Sequence, residues 1–421
     1  MLRFGTDGVR GVALTELTEQ YVADLGYAAA TVLSLKHVVI GRDTRESGLV
    51  LQTALARGFA AGGATVELLG VTPTPAIAFA AAQMRCAGAA VTASHNSYAD
   101  NGVKIFGIGG IKLTDDQEQL IEAAMAAVTP QSSAAPVGAI TESIAAINNY
   151  RNSIEGLVPS RTFADIRIVV DCANGAMSDV APYVLAQLGA TVIAIHCEPN
   201  GKNINAECGA TYPKIIGEAV RLHQAAIGLA FDGDGDRVIG VDHVGNIVDG
   251  DHLLALAAID MHERKVLDGN GVVVTVMTNA GFHEAMAKHG ISVVTTPVGD
   301  RSVLIALDEN KYALGGEQSG HIIYRKDANG NAKKDSKGNP IVLRNTSKTI
   351  YYTLPSKPIK VVFRSDTSGT TNNFTRFMNG VAPTVWTKPA NDAFTTAFPG
   401  NINATTNIGR IVGANGSQGV A

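Results

Sequence analysis

Apolar and polar positions along the first 323 residues alternate between two periods. Lys36-His37-Val38-Val39-Ile40-Gly41 is a short β-branched run closed by glycine and reads as a strand. A helix-like stretch over Gly48–Ala61 and a second strand, Thr65–Leu69, complete a βαβ pattern. The pattern returns with Ile166–Asp171, a helix near Val180–Leu188 and Thr191–Ile195. It returns again with Gly271–Val276, a helix near Phe282–His289 and Ile291–Val294. Strands alternating with helices predict mostly parallel sheets covered on both faces, hence an α/β protein of three successive domains. The Ala/Ser/Pro stretch Val128–Pro136 reads as a linker leading into a helix near Thr141–Asn149, and Val248–Asp251 reads as a second linker. In such folds ligands gather in loops beyond the carboxyl ends of strands, so the chemistry is expected there.

After Ile323 the pattern fails. Tyr324–Pro340 is polar and rich in Lys, Asn, Asp and Gly. A strand-like Ile359–Phe363 follows, with no clear helical period after Met378. Charge breaks at the same place: residues 324–421 hold 13 basic and 4 acidic side chains, net +9, leaving 21 basic and 34 acidic, net −13, for residues 1–323. The overall net charge of −4 therefore averages two regimes in a chain of 421 residues, and it excludes a generally basic nucleic-acid binder. Cys86, Cys172, Cys197 and Cys208 lack C-x-x-C spacing and read as buried free thiols. Met1–Gly8 meets charge at once, and no window approaches the ~20 apolar residues of a membrane span, so a soluble cytoplasmic protein without a membrane partner is expected.

Three motifs carry chemistry. In Asp232-Gly233-Asp234-Gly235-Asp236-Arg237, carboxylates at alternate positions follow an apolar strand and can converge on one hard divalent cation. An EF-hand is excluded by spacing, since its sixth position would be Arg237 and its twelfth His243. Thr92-Ala93-Ser94-His95-Asn96 offers a serine that needs a base, a metal or a phosphoryl group to become reactive; taken alone it reads equally as a capped turn. Gly315-Gly316-Glu317-Gln318-Ser319-Gly320-His321 can present a carboxylate and a hydroxyl to sugar hydroxyls, although such a stretch alone is also an ordinary glycine-rich turn. No P-loop or dinucleotide fingerprint is present, which leaves ATP or NAD use unsupported.

Taken together the motifs resemble the α-D-phosphohexomutase family, in particular its glucosamine phosphate branch. The resemblance runs through Phe4–Gly11, Gly41–Arg45, Pro73-Thr74-Pro75, the Ser94 loop, Asp171–Ala176, Glu198–Gly201, Asn203–Asn205, the Asp232 loop, Val298–Arg301 and Glu317–His321. It implies interconversion of glucosamine 6-phosphate and glucosamine 1-phosphate through a phosphoserine at Ser94 and a bisphosphate intermediate, for cell-wall sugar synthesis. It also implies Mg²⁺ held by Ser94, Asp232, Asp234 and Asp236. Arg10 and Lys104 would flank the transferring group, with Lys104 and His321 as candidates for proton transfer. Arg237, Glu317, Ser319 and His95 would bind the phosphorylated amino sugar. Gln318 and Phe4–Gly11 favour glucosamine phosphate over the phosphoglucose and phosphomannose alternatives. Ser97 departs from the proline usual after Ser-His-Asn.

The tail departs further. The family's fourth domain carries an Arg-x-Ser-Gly-Thr-Glu-Pro phosphate clamp, whereas here Arg364 stands four residues before Ser368 and no Glu-Pro follows. Residues 341–421 instead resemble the second lobe of the phosphate-binding subunit of phosphate ABC transporters, with Arg364, Ser368, Gly369 and Thr370 matching its phosphate-holding positions. The expected organisation is a phosphoserine domain (1–137), a metal-binding domain (138–250), a truncated sugar-binding domain (251–323), a junction loop (324–340) and a periplasmic-binding-protein-like fragment (341–421). Without the clamp, poor turnover is expected.

Overall fold

The computed structural model describes residues 2–5, 8–127, 138–158 and 160–324, with the backbone of two further strands, Val361–Arg364 and Ile411–Ala414. The chain divides into two compact units, Met1–Asn345 and Thr346–Ala421. Three sheets build the described part of the first unit.

The first sheet contains β1 (Val9–Val12), β2 (His37–Arg42), β3 (Thr65–Val71), β4 (Ala87–Val91), β5 (Asp100–Gly107), β6 (Ile111–Lys112) and β7 (Ile140–Glu142). Their order is β1-β5-β4-β2-β3-β7, with β6 on β5. Strands β4, β2, β3 and β7 run parallel, while β5 is antiparallel to both β4 and β1. Five helices accompany it: α1 (Glu19–Val32), α2 (Gly48–Ala61), α3 (Thr74–Met84), α4 (Asp115–Ala127) and α5 (Ala145–Glu155). Thr18 caps α1 by accepting the Tyr21 N–H, which satisfies one of the donors a helix start leaves over. Small residues let α1 and α2 close together: a Cβ on Gly58 would stand 2.0 Å from the Ala23 carbonyl oxygen. Leu25, Leu51, Leu55 and Phe59 fill the core beside that contact.

The second sheet holds β8 (Arg167–Asp171), β9 (Thr191–Ile195), β10 (Ile227–Phe231), β11 (Val238–Asp242) and β12 (Ile247–Val248), ordered β12-β11-β10-β8-β9. Its helices are α6 (Val180–Gln187) and α7 (Pro213–Leu222). The third sheet holds β13 (Gly271–Thr275), β14 (Ser292–Thr296), β15 (Leu314–Gly316) and β16 (Ile322–Tyr324), ordered β14-β13-β15-β16, with α8 (Gly250–Glu263), α9 (Ala280–Lys288) and α10 (Asp300–Asn310). Helix α5 joins the first two sheets, packing on α3 through an edge-on Phe79–Tyr150 contact and on α6, where Arg151 lies over the Tyr183 ring. In the second unit, β17 (Val361–Arg364) and β18 (Ile411–Ala414) pair in parallel.

The structure refines three readings of the sequence. The helix expected over Thr141–Asn149 begins at Ala145; before it, β7 adds β-branched Ile140 and Thr141 to the edge of β3 and satisfies backbone groups that edge would otherwise leave open. Val248–Asp251 carries the chain from the second sheet to the third with almost no loop: Val248 ends β12, and the Asp249 carboxylate accepts the His252 N–H as the cap of α8. Gly and Asp here are capping chemistry. Ile323 and Tyr324, where the sequence pattern changes, lie in β16, which pairs antiparallel with β15.

Candidate active site

The two chemically loaded loops leave the ends of central strands and meet. Ser94 follows β4 and Asp232 follows β10. Gly233 permits the approach, because a Cβ there would lie 2.6 Å from the Ser94 carbonyl oxygen. Ser94 is buried and adopts a left-handed backbone, φ 51°, at a cost of about 1–2 kcal/mol for a residue with a Cβ. Its N–H donates to Thr92 Oγ1 at 2.9 Å, and its hydroxyl donates to Asp232 Oδ2 at 2.6 Å.

The carboxylates of Asp232, Asp234 and Asp236 gather with oxygens within 4.8 Å of one another. Lys104 Nζ donates to Asp234 Oδ2 and Asp236 Oδ2, each at 2.8 Å, and Thr74 Oγ1 donates to Asp234 Oδ2 at 2.6 Å. Asp232 Oδ1 accepts the Arg237 N–H at 3.2 Å. Burial, then the charges of Asp236 and Asp234, hold the Asp232 carboxyl well above the usual carboxylate range. Asp234 Oδ1 is buried without a hydrogen-bond partner. A donor set made wholly of oxygen, like-charged and with a buried lone pair to spare, fits a hard divalent cation.

Around this centre the remaining predicted residues divide. Burial works against the Arg237 guanidinium, but Asp232, Asp236, Glu317 and Asp234 more than restore its hold on its proton. His321 lies 4.0 Å from both Asp236 and Asp300 carboxylates. His95 is half-buried, and burial followed by the charges of Arg237 and Arg10 pushes it toward the neutral form, against the pull of Asp234 and Asp236. Arg10 sits on β1 opposite Gly102 of β5. Glu317 is buried and accepts the Gly299 N–H at 3.0 Å, while Ser319 is exposed at the loop tip and Gln318 reaches Asp249 at 3.3 Å. The site is thus assembled from all three sheets. In the tail, Arg364 ends β17, while Ser368, Gly369 and Thr370 lie outside the described residues.

Sequence reasoning gave Thr74, Asp300 and Lys112 no role. Thr74 and Asp300 lie within motifs that carry the resemblance, Thr74 flanked by prolines that fix its turn; Lys112, which pairs with buried Asp300, has no such signal.

The same architecture occurs in known proteins. The family descriptions for alpha/beta/alpha domains I, II and III of phosphoglucomutase/phosphomannomutase match residues 1–132, 147–245 and 249–336 in turn. The chain belongs to the phosphoglucomutase/phosphomannomutase family. Within that class, similar curated relatives include phosphoglucosamine mutases. The one from Parafrankia sp. (strain EAN1pec) is 44% identical over 353 residues, covering 77% of this chain and 76% of the relative. The one from Desulforudis audaxviator is 47% identical over 329 residues, covering 76% and 73%. Among solved structures, a putative phosphomannomutase from Thermus thermophilus aligns with TM-score 0.67 at 27% identity, covering 77% of this chain and 75% of that one. A phosphoglucomutase/phosphomannomutase family protein from Burkholderia thailandensis aligns with TM-score 0.66 at 26% identity, covering 76% and 72%. Among the described residues, no helix is long and apolar enough to cross a membrane.

Proposed function

We propose that the chain is an intramolecular phosphotransferase that interconverts glucosamine 6-phosphate and glucosamine 1-phosphate in the cytoplasm, carrying the phosphoryl group on Ser94. The observation that supports this most is the Ser94 hydroxyl aimed at Asp232 at 2.6 Å, inside a carboxylate cluster that Lys104 partly neutralises. Asp232, Asp234 and Asp236, with an oxygen on Ser94, would hold Mg²⁺, which when bound neutralises charge on a transferring phosphoryl group.

In this reading a sugar hydroxyl attacks phosphorus on Ser94. The bond from phosphorus to Ser94 Oγ breaks as the new one to the sugar oxygen forms, and the sugar hydroxyl gives up its proton. His321, close to Asp236 and Asp300, would take that proton, Lys104 would supply one to the departing Ser94 Oγ, and Arg237 would stabilise the spread negative charge. The resulting bisphosphate turns round in the cleft and returns its other phosphoryl group to Ser94. Glu317 and Ser319 would meet sugar hydroxyls in either orientation, with His95 and Arg10 near the phosphoryl group.

The test couples glucosamine 1-phosphate formation to a reporter enzyme and follows phosphoryl gain on Ser94 by intact mass. Ser94→Ala should lose turnover by a factor of about 10³ or more and take up no phosphoryl group from a hexose bisphosphate. Glucose and mannose 6-phosphates should turn over more slowly than glucosamine 6-phosphate. Turnover retained in Ser94→Ala would refute the reading.

A further inference from the structure

Arg45 lies on no surface that a substrate can reach: its side chain is fully buried, and its guanidinium is directed wholly at backbone and one carboxylate. Nε donates to Asp43 Oδ2 at 2.9 Å, Nη2 to the carbonyls of Ser94 at 3.0 Å and Asn96 at 2.9 Å, and Nη1 to the carbonyls of Asp100 at 3.0 Å and Ser97. All five N–H donors of the guanidinium are therefore used, four of them on one short loop. The amide of Asn205, from the segment between β9 and α7, repeats two of these bonds, donating at 2.9 Å to the same Ser94 and Asn96 carbonyls. Each of those two oxygens thus receives one donor from the first α/β layer and one from the second. Asp43 closes the other side: its Oδ2 accepts Thr92 Oγ1 at 2.6 Å, and Thr92 Oγ1 accepts the Ser94 N–H.

We infer that Arg45 and Asn205 are positioning residues that fix the Ser94 loop by its carbonyl groups. The inference rests on Ser94 as the phosphoryl carrier. It explains how a serine is kept in the left-handed conformation, and how its Oγ keeps one aim while the phosphoryl group comes and goes: neither residue touches that group, so neither bond set changes with it. Because Asn205 belongs to the layer that bears Asp232, it also sets the distance from serine to carboxylates through the chain itself. Arginine is required by shape. Lysine presents three donors from one point and cannot span four carbonyls and a carboxylate.

The experiment uses the full chain with Arg45→Lys, Asn205→Ala and the double variant. Three quantities are measured: the single-turnover rate of Ser94 phosphorylation by glucose 1,6-bisphosphate, kcat and KM for glucosamine 6-phosphate, and hydrogen exchange of the peptide spanning residues 92–100. Phosphorylation rate and kcat should fall by about 10²-fold, as for a reacting atom displaced by about 1 Å, with KM moving less than about twofold. Exchange in the peptide should quicken, most in the double variant. A purely structural role predicts loss of folded protein with normal kcat per folded molecule. Should Arg45→Lys fail to fold, Asn205→Ala decides by itself. If the unaltered chain takes no phosphoryl group, the mutase reading fails and exchange alone judges the clamp. Unchanged exchange in both variants, or a rise confined to KM, overturns the inference.

Discussion

Replacing Lys104 by methionine tests whether the carboxylate cluster is held together by charge. The substitution keeps an unbranched stem and deletes an ammonium that is 3% exposed and bonded at 2.8 Å to both Asp234 and Asp236. Unit charges at that distance attract by about 6 kcal/mol at an effective dielectric constant of about 20, against which the desolvation of the lysine must be set. Removing one partner of a buried pair typically costs about 3–5 kcal/mol, and that range is expected here. Without Lys104 the cluster must find positive charge elsewhere. At low pH the carboxyls take protons. Asp232 already sits well above its ordinary value through burial and its two neighbours, and losing the ammonium raises it further. An acid whose folded value is raised contributes stability that is present below its unfolded value and lost as pH rises through the folded one. The deficit of Lys104→Met should accordingly be larger at pH 8 than at pH 5. Mg²⁺ at about 100 times its dissociation constant adds about 2.7 kcal/mol to any protein that binds it only when folded, and should restore more in the variant, whose site holds one more unit of negative charge. Calorimetry of both chains at the two pH values, with and without Mg²⁺, reads these differences. A deficit independent of pH and of Mg²⁺ would refute the reasoning.

Two smaller predictions follow from the packing. Gly58→Ala gains up to about 1 kcal/mol of helix propensity, but its Cβ would meet the Ala23 carbonyl 2.0 Å away, so a net loss of about 1–3 kcal/mol is expected in a thermal melt; unchanged or improved stability would show that α1 and α2 can part freely. Burial pushes the thiols of Cys86 and Cys208 up to about 11 and about 12, leaving on the order of one thiolate in 10³ to 10⁴ at pH 8, whereas Cys197 is half-buried. Alkylation of the native chain followed by peptide mass spectrometry should mark Cys197 first, and equal labelling of Cys86 would contradict the core assignment.

Much of this architecture is legible in residue order because its signals are local. Val38-Val39-Ile40 and Val272-Val273-Val274 are β-branched runs buried from both faces, and a run of that kind has few places to go but the middle of a parallel sheet. The carboxylates at 232, 234 and 236 announce themselves because like charges at alternate positions repel one another without a cation. Strand β7 was hidden because Ile140-Thr141-Glu142 is exposed along its whole length and shows no alternation; only the open edge of β3 makes it a strand. The role of Arg45, unlike its place in the Gly41–Arg45 motif, was hidden for a different reason. Its partners are carbonyl groups 49 to 55 residues further along, and a carbonyl has no residue type to recognise.

The charge of the first 323 residues illustrates the same distinction between what is counted and where it lies. A net of −13 suggests an acidic exterior, yet among the described residues six aspartates are buried: Asp43, Asp171, Asp232, Asp234, Asp251 and Asp300. Each is answered locally. Arg45 pairs with Asp43, Lys104 with Asp234 and Lys112 with Asp300. Asp171 accepts the N–H groups of Ala173 and Gly209, Asp251 that of Asn279, and Asp232 the Ser94 hydroxyl and the Arg237 N–H. An aspartate that accepts backbone N–H groups needs no cation beside it, so the acidic excess grows without any acidic surface being built. Composition therefore overstates the acidity of this protein's exterior, and part of the surplus is the material from which its loops and its reactive centre are made.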